Sequence, residues 1–278
     1  MANGPCYGSV CLNGARPLTT HISPSTGAGA NGARPRRVQL FVTCLVDRFY
    51  PGVAHAAVAA LERFGVEVAV PPAQTCCGQP AFNGGFTGEA AAMARHTIDV
   101  LCASPDPVVV PSGSCADMIV VHYPDLLKDD DAYAARARAL AGRTYEFSQF
   151  LVDVLHVTPE PCPGGPRLAY HASCHGLRGL GLRDQPRRVL RAVAGDNAAD
   201  LPDAEVCCGF GGLFAVKMAG ISAAMLDAKL EAIDASGAEA VVATDVSCLM
   251  HIGGGLHRRN RAVRVLHIAE VVAGLPRA

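Results

Sequence analysis

Two vicinal cysteine triplets, Cys76-Cys77-Gly78 and Cys207-Cys208-Gly209, hold matching places in the two halves of this chain, each with one cysteine upstream and one downstream. The order Cys44, Cys76-Cys77, Cys115 recurs as Cys174, Cys207-Cys208, Cys248. The upstream gaps are 32 and 33 residues and the downstream gaps 38 and 40. So regular a placement of a rare residue marks an internal repeat, and it restricts what the thiols can be for.

Disulfides fit the pattern poorly. A bridge needs Cα atoms roughly 4.4–6.8 Å apart, whereas neighbouring residues are about 3.8 Å apart across a trans peptide. The N-terminal stretch also lacks a basic segment followed by an apolar one, so no secretory signal is expected and a reducing, cytoplasmic setting is. Twelve cysteines in such a setting point to metal or redox chemistry. Structural zinc sites use paired ligands two to four residues apart, a spacing neither half offers. Adjacent cysteines direct their sulfurs apart, which suits a multi-iron cluster with several corners. The expected ligands are Cys44, Cys76, Cys77 and Cys115 in the first half and Cys174, Cys207, Cys208 and Cys248 in the second. Cys6, Cys11 and Cys162 have no counterpart in the repeat and are left out.

The chain's 278 residues, half of them hydrophobic, are enough for two ordinary domains. With 24 basic and 25 acidic residues no global field recruits nucleic acid, and no apolar run is long enough to span a bilayer. Residues 1–36, rich in Gly, Ala, Pro and Ser, read as a disordered tail. Short β-favouring runs at 38–44, 66–70, 107–111, 167–174 and 240–244 alternate with helical patterns at 51–64, 87–102, 132–140, 147–155, 185–193, 222–235 and 267–275. This alternation predicts an α/β fold of two similar lobes, 37–158 and 165–278, each a Rossmann-like parallel sheet flanked by helices, joined through the Pro- and Gly-rich segment 157–166. The cysteines then fall at strand ends, where such sheets collect ligands.

The segments Leu40-Phe41-Val42-Thr43-Cys44, Gln74-Thr75-Cys76-Cys77-Gly78-Gln79-Pro80, Pro111-Ser112-Gly113-Ser114-Cys115, Cys207-Cys208-Gly209-Phe210-Gly211-Gly212 and Cys248-Leu249-Met250 resemble the CCG cysteine-rich domain family. That family includes heterodisulfide reductase catalytic subunits, glycolate oxidase iron-sulfur subunits and lactate utilization proteins, and the chain is most similar to the last. The resemblance covers residues 37–275. It implies an iron-sulfur protein, with one or two [4Fe-4S] clusters, that works with sister lactate utilization subunits and an electron donor or acceptor protein to oxidise L-lactate to pyruvate. The chain departs from the fuller family pattern in having Met118 and His251 where each half would close with Cys-x-x-Cys, and Ala172 where close relatives would carry aspartate.

His171, His175 and His251 flank cysteines of the second half only. Imidazole ligates iron or carries a proton, and its plainer role is a backbone hydrogen bond; His175 is the first candidate for a catalytic part, and Lys217, after the glycines that follow Cys208, is a second. The Gly-x-Gly string after Cys208 continues a ligand triplet and is not a dinucleotide fingerprint; glycine there lets backbone approach a cluster. Asp129-Asp130-Asp131 reads as the acidic start of a helix, and Arg258-Arg259-Asn260-Arg261 as an exposed loop. The leading function is an electron-transfer subunit. A self-contained thiol or disulfide reductase and a non-catalytic zinc module are the alternatives. No flavin or nicotinamide motif is evident, so a hydride acceptor is expected on a partner or bound between subunits.

Overall fold

Each half builds the same four-stranded parallel sheet. In the computed structural model, which describes residues 34–274, the strands of the first half are β1 (Arg37–Leu40), β2 (Glu67–Ala69), β3 (Val108–Val110) and β4 (Thr144–Glu146). Those of the second are β5 (Leu168–Tyr170), β6 (Ala198–Ala199), β7 (Ala240–Ala243) and β8 (Arg264–His267). Their spatial orders are β2-β1-β3-β4 and β6-β5-β7-β8, with every pairing parallel. Most of the expected N-terminal tail, with Cys6 and Cys11, lies outside the described residues.

Chain order reverses between β1 and β3, and again between β5 and β7. A crevice therefore opens at the carboxyl ends of these pairs. Fully buried Val108, Val109 and Val110 show why β3 is central: both faces are covered, so each position takes a β-branched residue. The Pro51–Arg63 helix begins on Pro51, buries Val53, Ala56, Ala57, Ala60 and Leu61, and stops at Gly65, whose φ is +78°.

The facing sides of the two sheets share one core. Val38, Leu40, Ala57 and Leu61 of the first half and Leu168, Val189, Val242 and Val272 of the second belong to the same buried cluster. The outer faces have separate cores, one around Phe41, Ile98 and Met118 and the other around Leu226, Ile233 and Ile252. The order across the molecule is thus outer helices, sheet, shared helices, sheet, outer helices.

Several elements differ from the sequence reading. Strands β4, β6 and β8 are two to four residues long and too short to show alternation. The first strand run ends early because Thr43 caps a helix at Cys44–Phe49. Helices Gly113–Asp117 and Val246–Arg258 follow β3 and β7 where loops were expected. The arginine run keeps the expected exposure: Arg258 ends the latter helix and 259–261 form the turn after it, where Arg259 pairs with Asp227, and Arg261 with Asp234 at 2.9 Å. Asp130 accepts the backbone N–H groups of Ala132 and Tyr133 and pairs with Arg95 at 2.7 Å, as befits the entry to the Ala134–Ala141 helix.

Candidate metal centre

All eight repeat cysteines line one cavity of about 250 Å³ between the halves. Capped helix starts deliver half of them. Thr43 accepts the N–H of Val46 at 3.4 Å and sets Cys44 at the first helical position; Ser173 accepts the N–H of Gly176 at 3.3 Å and does the same for Cys174. Ser112 accepts the N–H of Cys115 at 3.4 Å, and Asp245 the N–H of Ser247 at 3.0 Å, which places Cys115 and Cys248 in first turns. Positive helix ends favour thiolate and any anionic centre built from it.

The triplets supply the other four. Gly78 and Gly209 have φ of +87° and +90°. A Cβ on Gly209 would lie 2.7 Å from the Ser222 carbonyl and one on Gly78 3.3 Å from that of Ala90, so each glycine lets its triplet sit against a helix backbone. Tyr123 donates its hydroxyl to the Cys77 carbonyl at 2.7 Å, and Ser222 to that of Gly209 at 2.8 Å. The glycines of the triplets are therefore explained by helix contact.

Within the first quartet the Cys44 and Cys76 sulfurs are 3.7 Å apart and those of Cys77 and Cys115 3.3 Å. Cys77, Cys115, Cys208 and Cys248 are buried, while Cys44, Cys76, Cys174 and Cys207 are half-buried. Thiol hydrogen bonds, first from Cys44 and Cys174 respectively, hold Cys76 and Cys207 down to about 2. Their partners shift the other way: Cys44 and Cys174 are pushed up by donating to those thiolates, Cys77 by Cys115, and Cys208 by Cys207 and Cys248. Cys248 is held at about 6 by the Cys208 thiol, with His171 adding to it. Sulfurs packed this closely cannot all ionise without a positive charge among them. Eight free thiols grouped in this way fit metal or iron-sulfur binding.

The CCG cysteine-rich domain family matches this chain at residues 38–120 and 168–253. The chain belongs to that family. Lactate utilization protein A of Bacillus pumilus is 46% identical over 236 residues, covering 85% of this chain and 98% of that protein. The protein of the same name from Geobacillus kaustophilus is 47% identical over 236 residues, with the same coverage of both chains. A crystal structure of a hypothetical protein from Helicobacter pylori shares the fold, with a TM-score of 0.61 at 11% identity; the match covers 90% of this chain and 52% of that one.

The remaining residues singled out in this CCG protein have varied fates. His175 lines the cavity, and its Nδ1 lies 2.6 Å from Oδ2 of buried Asp117, whose carboxylate raises the imidazole above its ordinary range. Nε2 is then the nitrogen left for the cavity. Lys217 is exposed and absent from the lining. Met118 fills the outer core, and His251 sits against Phe210 and Ser222, so neither family-variant position lines the cavity. Cys162 also stands apart from the lining.

Two residues without a sequence-based role bind the halves at the cavity. Asp245 Oδ2 accepts the Ser114 N–H at 2.7 Å and the Ser112 hydroxyl at 3.3 Å. Asp117 reaches His175 across the same seam because Gly179 has no side chain: a Cβ there would lie 2.0 Å from Oδ1. A hint of Asp245 existed in the sequence, since it precedes Cys248 by the same three residues as Ser112 precedes Cys115.

Proposed function

We propose that this protein is the iron-sulfur electron-transfer subunit of a multi-protein system that oxidises L-lactate to pyruvate. Cys44, Cys76, Cys77 and Cys115 hold one cluster, and Cys174, Cys207, Cys208 and Cys248 the other, each of the [4Fe-4S] class. The observation that carries this reading is the convergence of both quartets on one cavity, and the names of the 44–47% identical relatives supply the pathway. When bound, such clusters supply one-electron transfer.

The chain's own residues divide the remaining tasks. Half-buried Cys44, Cys76, Cys174 and Cys207 form the outward edge of each quartet, and buried Cys77, Cys115, Cys208 and Cys248 anchor its inner side. Asp117 orients His175 and leaves Nε2 to hold a proton at the cavity. Lactate oxidation removes two electrons together, so the first acceptor belongs to a sister subunit. No described helix is long and apolar enough to cross a membrane, and a cytoplasmic setting fits free thiols.

The test compares lactate-dependent dye reduction by the anaerobically purified chain alone and with its sister lactate utilization proteins. Activity only in the mixture is expected. Brisk lactate turnover by the chain alone would overturn the subunit reading.

A further inference from the structure

The two quartets differ at one buried position. Phe41 and His171 each lie three residues before the first cysteine of their half. Phe41 is fully buried and packs with Cys77 and Cys115 in the first outer core. His171 is also fully buried, yet neither ring nitrogen has a nitrogen or oxygen hydrogen-bond partner among the described residues. A ligating nitrogen of His171 and the sulfurs of Cys208 and Cys248 all lie within 4.8 Å of one another.

A buried imidazole with only cysteine sulfur beside it is costly, because sulfur is a weak hydrogen-bond partner and returns little of what the desolvated nitrogens lose. Backbone offers no relief here, and the nearby polar atoms are ligand sulfurs. An apolar residue serves at the equivalent place in the first half, so packing does not require histidine. A metal held by Cys208 and Cys248 would give one nitrogen its missing partner, since imidazole is a common donor to iron.

We propose that His171 supplies a nitrogen donor to the metal centre of the second half, making that centre a mixed nitrogen and sulfur site while the first is all thiolate. This inference rests on the iron-sulfur reading above.

The test uses the full chain, produced with isotopically labelled histidine and purified anaerobically, with pulsed EPR of its reduced centres. A directly bonded nitrogen coupling is expected in one of two cluster signals. It should vanish in His171→Phe, which copies the first half, while persisting in His175→Gln and His251→Gln. Iron content should be unchanged in His171→Phe. Cluster signals without a bonded nitrogen coupling in unaltered protein would overturn the inference and leave the iron-sulfur reading standing. Absence of any cluster signal from protein reconstituted with iron and sulfide would overturn both.

Discussion

Replacing Asp245 by alanine should weaken both centres at once, although the residue belongs to only one half. One carboxylate oxygen caps the Val246–Arg258 helix through the Ser247 N–H at 3.0 Å, and the other accepts the Ser114 N–H at 2.7 Å in the turn that carries Cys115. Loss of an N-cap costs about 1 kcal/mol, and leaving the buried Ser114 N–H without an acceptor costs about 1–3 kcal/mol more. A total near 2–4 kcal/mol follows on those typical values. Asp245→Asn separates the two ends: with one oxygen and one NH₂ it can accept at only one, so an intermediate loss is expected. Urea unfolding followed by circular dichroism measures the stabilities, and iron per chain reports the centres. If Asp245→Ala were within about 0.5 kcal/mol of the parent, the scatter typical of surface changes, or if only the second centre lost iron, the bridging role would be refuted.

Gly209→Ala should destabilise more than Gly78→Ala in thermal melts, because the new methyl would meet the Ser222 carbonyl at 2.7 Å against 3.3 Å for the Ala90 carbonyl, while both share the strain of positive φ; equal losses would count against helix contact as the cause. Burial raises the Glu146 carboxyl from its ordinary 4.5 to about 7. Its protonated form is favoured on folding, so this contribution is present in full below pH 4.5 and is lost as pH rises through about 7. Glu146→Gln keeps an acceptor for the Ser148 N–H and should therefore gain on the parent by about 3 kcal/mol between those limits; parallel pH profiles would show that the carboxyl is not buried in the charged form. Gly179→Ala should expel Asp117 from its place beside His175 and lower the histidine's titration midpoint in NMR; an unshifted midpoint would refute the pairing.

The sequence exposed the repeat and the quartets because cysteine is rare and its spacing can be counted. The alternation of Val38 to Leu40 or Val108 to Val110 with long helices conveyed the parallel α/β class. Less was visible wherever the decisive partner lies in the other half. Asp117 and Asp245 look like ordinary polar residues until the fold carries them across the seam, and the shared core joins Leu61 to Val272 over a distance in sequence that no local pattern encodes. His171 was legible as a histidine near a cysteine, but its isolation from every backbone acceptor is a property of the packed interior. Lys217 shows the converse: closeness to Cys208 in sequence did not bring it to the cavity, since the short helix Leu213–Lys217 ends with it exposed.

The most direct measurement is iron, acid-labile sulfide and zinc per chain in anaerobically purified protein, repeated for Cys77→Ser and Cys208→Ser, which alter the buried side of each quartet. Iron and sulfide together in the parent, with part of each lost in either variant, is the result expected. Colourless protein carrying stoichiometric zinc and no sulfide would contradict the central claim.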